Sequence, residues 1–370
     1  MALFAQKRSE STERRREKVT VLVKKGMPLR DIVAELHRVG IKCSPSTVFA
    51  DLEHLIGEGD IRIEISLAPE RVREIEDQFE SVSWQPLLDC LAEKTGGLLR
   101  DLWVGYSGSV ERAQDGFGKW IPQFARNACP FLEKQMRRSA CIGTFGGSTA
   151  AAMVNALPPV VAGSEPCSVE VVPLAGDPPK LSKHPATSVA RGLSTKLTGS
   201  YATVPSLEGV PHAPKERTNL ENRFPEWGAL FYPDGSCRRP LDMVLTSAGC
   251  FTKWRVWGSG FGGVNLDAET LQKKAGVVGD IGLTLVPGAL QSRDQERRYK
   301  DYSGHGTSLS LGALGDLAQR AARDSSIVGV CLVVLGGNKL VVTEALLSRC
   351  VNVLVIDSEM ALALKRGFKC

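Results

Sequence analysis

Two near-continuous runs of Val, Ile and Leu, Ile327–Leu335 and Val351–Ile356, flank a stretch of helical character, Leu340–Arg349. Strands this uniformly apolar are buried on both faces, and strands that alternate with helices are joined by crossovers. The pattern therefore predicts a parallel sheet covered by helices on both sides. It recurs upstream, with strands predicted over Ser168–Leu174, Tyr201–Pro205, Asp242–Ser247 and Ile281–Val286. Helices are predicted over Ser148–Leu157, Thr187–Leu197 and Leu309–Ala322. In such sheets ligands bind at the carboxyl ends of the strands, where glycine-rich turns lead into helix N-termini. The stretch 206–240, rich in Pro, Gly and charge, reads as a long surface excursion.

The first hundred residues have a different texture. At 370 residues the chain is long for one domain, and its charge is uneven: residues 1–30 carry +6 of a total of +5, leaving the rest at −1. A basic end on a neutral body points to nucleic acid or another anionic surface. Val19, Leu22 and Val23 share one helical face, and Leu29, Ile32, Val33 and Leu36 share another. After Gly40, Ser44-Pro45 supplies an N-cap and a proline at the first helical position, opening a third helix that buries Val48, Leu52, Leu55 and Ile56. Ile61–Ile65 alternates like a short strand. These are the proportions of a winged helix-turn-helix, in which the second helix of the motif enters the DNA major groove by its N-terminal end. The residues predicted to meet DNA are Lys42, Ser44, Ser46, Thr47, Ala50 and Asp51, with Arg14, Arg15 and Arg16 attracting the phosphate backbone. Val72, Ile75, Phe79 and Val82 form a short a/d seam on a charged helix suited to pairing with another helix. The domains expected are a DNA-binding domain over 1–65, a linker or dimerisation helix over 66–84, and an effector domain over 85–370.

The effector domain offers four glycine-marked strand ends. Cys141–Ala150 runs from a strand through Gly146-Gly147-Ser148-Thr149 into a helix, where small residues and N–H groups suit an anion. Thr246–Gly249 closes another strand, Gly279-Asp280 places an isolated acid beside a glycine, and Gly336-Gly337-Asn338-Lys339 repeats the turn with a cation. Asp280 is suited to sugar hydroxyls and Lys339 to a phosphate. The predicted effector-binding set is Gly146, Gly147, Ser148, Thr149, Gly249, Asp280, Gly336, Gly337 and Lys339. Asp357-Ser358 reads as an N-cap. The first turn is neither a P-loop nor a dinucleotide fingerprint, so no nucleotide cofactor is expected. The ten cysteines are never closer than twelve positions apart, which predicts reduced, mostly buried thiols and no metal site. With a polar start and no run of 18 apolar residues, a cytoplasmic protein is expected.

Taken in order, Cys141–Ala150 before Leu157-Pro158-Pro159, Val171–Gly176, Asp242–Gly249, Gly276–Ile281, Val334–Gly337 and Val351–Asp357 resemble the SorC-type, sugar-binding transcriptional regulators and their DeoR-like relatives. The resemblance covers roughly 85–370, with the helix-turn-helix ahead of it. It implies a Rossmann-like effector domain akin to sugar-phosphate isomerases, a phosphorylated sugar or similar metabolite as ligand, operator DNA as partner, and a homodimer or homotetramer. Gly146, Gly147, Ser148 and Thr149 match the family's phosphate-binding turn, and Asp280 its Gly-Asp acid. The family's lysine falls one position beyond Lys339, where this chain has Leu340, and the stretches 206–240 and Arg293–Tyr302 also depart from the pattern. The alternative is a sugar-phosphate isomerase-like enzyme with an appended helical module, for which Asp280, Asp357 and His305 are the candidate acids and bases. No catalytic residues are assigned.

Overall fold

Ser44 caps a helix as its sequence predicts, its Oγ accepting the Thr47 N–H at 3.1 Å. In the computed structural model, which describes residues 2–24, 27, 29–57, 84–105, 117–159, 168–177, 184–198, 204–210, 220–250, 270–303 and 306–370, the chain divides into two units, Met1–Ser81 and Val82–Cys370. The first contains α1 (Ala2–Lys24), α2 (Leu29–Arg38) and α3 (Pro45–Gly57). Their apolar stripes meet in a small core of Val19, Leu22, Ile32, Leu36, Val48 and Leu55. The predicted strand Ile61–Ile65 and the predicted helix Pro69–Val82 lie outside the described residues.

The second unit opens with α4 (Gln85–Lys94), β1 (Asp101–Gly105), α5 (Phe117–Met136), β2 (Cys141–Thr144), α6 (Ser148–Ala156), β3 (Glu170–Pro173) and α7 (Ala186–Thr198). Two short helices, α8 (Leu220–Arg223) and α9 (Pro225–Leu230), precede β4 (Met243–Cys250), a π-helical turn (Thr270–Lys274), β5 (Val277–Ile281), β6 (Thr284–Pro287) and α10 (Arg293–Ser303). The unit ends with α11 (Leu311–Arg323), β7 (Gly329–Val334), α12 (Leu340–Cys350), β8 (Val353–Asp357) and α13 (Ser358–Phe368).

Six strands pair in the order β1-β8-β7-β4-β2-β3, all parallel. Every residue of β7 and β8 is buried. Cys331, Val333, Val353 and Val355 join Phe124, Leu132, Met153 and Leu193 of α5, α6 and α7 in one core. The alternate residues Leu332, Val334, Leu354 and Ile356 are equally buried, so the two-sided cover predicted for these apolar runs is present. From β2 the chain moves outward to β3, whereas β4 leads on toward β7 and β8. The crevice at the carboxyl ends of β2 and β4 is therefore a topological switch point, where ligands bind in open α/β sheets.

Three expectations are corrected. Ile281–Val286 is not one strand: Gly282 and Leu283 turn it, and β5 and β6 form a hairpin that pairs antiparallel with Ala248–Cys250 at the end of β4. The described parts of the stretch 206–240, residues 206–210 and 220–240, are not a surface excursion, because Leu207, Val210, Leu220, Trp227, Leu230 and Phe231 are buried. A bridge between Phe231 and Cys237 folds it back on itself, and Gly235 accepts the Ser310 N–H at 2.9 Å. Among the cysteines, Cys90 and Cys370 are joined in a disulfide across 280 positions, against the expectation of thiols alone; α13 packs on α4, a pairing that sequence spacing does not encode. Cys129, Cys141, Cys331 and Cys350 are buried thiols as expected. No helix among the described residues is long and apolar enough to cross a membrane.

Candidate effector and DNA-binding sites

The predicted effector residues converge at the carboxyl end of the sheet. β2 delivers Gly146–Thr149, β4 delivers Gly249, β7 delivers Gly336–Lys339 and β8 delivers Asp357. The β5–β6 hairpin ties these ends together. Asp280 is the pairing partner of Gly249, and the hairpin turn lies over Phe145, the residue before Gly146. A Cβ on Gly282 would stand 2.1 Å from the Phe145 ring, and its φ of +53° is itself unfavourable for a side chain. A side chain on Gly147 would point toward Ser247 Oγ, 3.9 Å away.

Asp280 is the most unusual group in this cluster. Its Oδ2 accepts the Leu283 N–H at 3.0 Å, while its Oδ1 is buried with no hydrogen-bond partner among the described residues. Burial pushes its carboxyl up to about 6, opposed by the Leu283 N–H and by the ammonium of Lys339. Burial likewise pulls the Lys339 ammonium down, against the attraction of Cys250, Asp280 and Asp357. A buried acceptor left without a donor costs about 1–3 kcal/mol, which a hydroxyl-bearing ligand would recover. Beside the cluster, Cys250, Gln272, Lys273, Asn338 and Val341 line a cleft of about 560 Å³.

The glycine turns are less open than their composition suggests. Gly146 is glycine because a Cβ there would lie 2.6 Å from the His184 carbonyl oxygen. The Gly147 N–H donates to that same oxygen at 2.8 Å. In the second turn, the Gly336 N–H donates to Asp357 Oδ2 at 3.0 Å and the Gly337 N–H to Glu359 Oε1 at 3.1 Å. These amides are thus taken by the chain's own oxygens. Among the described backbone groups of these turns, the first turn of α6 is left to an anion, with Ser148 exposed and Thr149 buried at the helix N-terminus.

Asp177 and Glu359, which the sequence reading passed over, support the site together with Asp357, which caps the last helix as its sequence predicts. Asp177 accepts the Ala186 and Thr187 N–H groups at 2.7 Å each, fixing the start of α7 beside Gly146. Glu359 holds the Gly337 turn, and Asp357 performs two tasks: besides Gly336 it caps α13 through Met360 N–H at 2.8 Å. An acid two residues after a predicted N-cap was the only signal available for Glu359. His305 and the glycine-rich segment 258–263 lie outside the described residues.

In the first unit the DNA-binding prediction is redistributed. Asp51 is buried, and Arg15 and Arg16 both pair with it, Arg15 through Nε and through Nη2 at 3.1 Å and Arg16 through Nε at 3.2 Å. These three residues, predicted to face DNA, instead bolt α1 to α3. The reason is positional: Asp51 lies three residues after Val48 and four before Leu55, both buried, on the inward face of α3. Ser44 Oγ is engaged in its cap and meets Thr47 Oγ1 at 2.8 Å. Arg14, Lys42 and Ala50 are exposed, and Ser46 lies in the first turn of α3.

No protein-family model matches this sequence, and none of the curated proteins does. Solved structures do match. The full-length sorbitol operon regulator SorC of Klebsiella pneumoniae is 17% identical, with a TM-score of 0.54 over 96% of this chain and 100% of that one. A domain described as sugar-binding, from a transcriptional repressor of Vibrio fischeri, is 15% identical, with a TM-score of 0.55 over 78% of this chain and all of the other. A DeoR family transcriptional regulator of Listeria monocytogenes is 18% identical, with a TM-score of 0.51 over 75% of this chain and 98% of the other. The parallel-sheet unit with its switch-point site, preceded by the N-terminal helices, thus has the fold of the SorC- and DeoR-type transcriptional regulators across most of its length.

Proposed function

We propose that this protein is a transcriptional regulator whose operator binding is modulated by a phosphorylated sugar or a related small metabolite. The observation that carries this reading is the Oδ1 of Asp280, buried near Lys339 at the switch point and without a partner among the described residues. An acceptor and a cation there match a ligand that bears both hydroxyls and a negative charge. The fold shared with a full-length sorbitol operon regulator and with a sugar-binding repressor domain supports the same class. The first turn of α6 is where the ligand's anionic group would sit, and the exposed Arg14 and Lys42, with α3, are where DNA would. Assembly as a homodimer or homotetramer, through the 66–84 segment, belongs to the same proposal.

The test is a thermal-shift screen of phosphorylated sugars and small organic acids on the full chain. A ligand of this class should raise the unfolding midpoint of the wild type, and Thr149→Glu should abolish the rise while leaving the protein folded. An undiminished shift in that variant would remove the phosphate from this turn. One observation favours an enzyme instead: a carboxyl held near 6 in a ligand site is suited to proton transfer. Turnover of the stabilising sugar phosphate would establish that reading over the regulator.

A further inference from the structure

Beyond the effector cluster, the first and last described helices of the second unit are tied together. Cys90 on α4 and Cys370, two residues beyond α13, form a disulfide with Cα atoms 5.8 Å apart. Both residues are only half-buried. Of the other described cysteines, Cys129, Cys141, Cys331 and Cys350 are buried, while Cys43, Cys237 and Cys250 are partly exposed thiols. Burial pushes the Cys141, Cys331 and Cys350 thiols up to about 12, and those of Cys43, Cys129 and Cys237 up as well. A protonated, enclosed thiol neither attacks a disulfide nor is attacked readily. Among the described cysteines, Cys90 and Cys370 are the one pair joined in a disulfide.

The position of that pair gives it mechanical reach. α13 is an eleven-residue rod. At its N-terminal end Asp357 and Glu359 hold the Gly336 and Gly337 amides of the effector turn. At its C-terminal end Lys369 adopts a left-handed conformation, φ 56°, and the Cys370 N–H returns to the Lys365 carbonyl at 2.9 Å. That six-residue closure aims Cys370 onto α4, the first described helix after the stretch joining the two units. One helix therefore carries the effector turn at one end and a covalent tie to α4 at the other.

We propose that Cys90 and Cys370 form a thiol–disulfide exchange site for small-molecule thiols of the glutathione class, and that its redox state sets how rigidly α13 holds the effector turn. In reduction, a small thiolate attacks one sulfur, forms a mixed disulfide and releases the other cysteine as thiolate, which takes up a proton. A second small thiol then resolves the mixed disulfide. The balance is one protein disulfide and two small thiols giving two cysteine thiols and one small disulfide, with two electrons passing to the protein. Oxidation by the small disulfide is the reverse.

The full-length protein is equilibrated in glutathione buffers from oxidising to reducing, trapped by alkylation, and mapped by mass spectrometry. Cys90 and Cys370 should become labelled together and reversibly, while Cys129, Cys141, Cys331 and Cys350 stay unlabelled in the native state. Reduction should lower the unfolding midpoint by about 5–10 °C, as expected for opening a long covalent loop in a unit of this size. Amide hydrogen exchange at residues 336–339 and 357–360 should become several-fold faster on reduction. Cys90→Ser should show the reduced behaviour in every buffer, and the reduced wild type supplies the same comparison if that variant folds poorly. A bond that never forms, one that resists excess reduced glutathione, or exchange at 336–339 that ignores the redox state overturns the proposal. No arm uses DNA or an effector, so the result is independent of the regulator reading.

Discussion

Asp51 lies on the buried face of α3, three residues after Val48, and its charge is answered by two guanidiniums from α1. Burying an ion pair is a weak source of net stability, but removing one partner leaves the other uncompensated in a poor solvent. Asp51→Ala should therefore destabilise the first unit by about 2–4 kcal/mol, read as faster amide exchange in α1 and α3. Adding Arg15→Met should restore most of the loss, since an apolar side chain there needs no partner. The spacing 48–51–55 puts Asp51 on the apolar face, but the helix-turn-helix reading turns that position toward DNA, and its partners lie 35 and 36 positions away. Asp280 yields a prediction of opposite character. Its carboxyl sits near 6 against an ordinary 3.8 because burial opposes ionisation. A raised folded value contributes stability that is complete below about pH 4 and is lost as pH rises through about 6. The unliganded protein should thus gain on the order of 2–3 kcal/mol on acidification across that window. Asp280→Asn should flatten this dependence in pH-resolved melting curves. A ligand hydroxyl donating to Oδ1 favours the carboxylate, so ligand affinity should fall as pH drops through 6, with proton release on binding measurable by calorimetry in buffers of different ionisation enthalpy.

At the level of elements, the β5–β6 hairpin decides whether the strand ends act as one site. Its turn fits over Phe145 only because residue 282 lacks a side chain. Gly282→Val should cost about 1–3 kcal/mol through overpacking and an unfavourable positive φ. It should also weaken ligand-induced stabilisation, because the strain falls between Asp280 and the Gly146 turn; melting curves with and without ligand check both. This hairpin also shows where sequence reading stopped. The helices over 148–156, 186–198, 311–323 and 340–350 and the strands at 170, 243, 329 and 353 follow from periodicity and apolar runs, and the structure has them within a few residues. Ile281–Val286 looked like one strand because Gly282 is a single interruption in an apolar run, and only pairing with β4 reveals the turn. Helix α5 was missed because Pro122 and Pro130 lie inside it, and proline normally ends a helix. The site residues were legible as glycines at strand ends. Which of their amides are already occupied was not, since Asp357, Glu359 and His184 reach them only through the folded sheet.

The division of the whole chain into Met1–Ser81 and Val82–Cys370 gives each proposed activity its own core. Residues 1–30 carry a net charge of +6, residues 31–81 offset it with −7, and the second unit carries +6 of its own, so the basic character of the first unit is confined to its first helix and the turn that follows. The Asp51 cluster takes up part of the charge of Arg15 and Arg16, while Arg14, Lys18 and Lys42 are among the exposed cations of the described residues. If affinity for DNA rests on these few phosphate contacts, it should fall steeply with salt, and Arg14→Ala or Lys42→Ala should each reduce the slope of log affinity against log salt by about 1. A chain truncated to residues 82–370 retains the whole sheet, the Asp280–Lys339 cluster and the Cys90–Cys370 bond. It should therefore unfold cooperatively and keep its ligand-induced shift in melting temperature, yet fail to retain operator DNA in a gel-shift assay at any salt concentration. Retention by the truncated chain would move DNA recognition onto the second unit, whose own net charge of +6, from 32 basic and 26 acidic residues, is a second source of phosphate attraction.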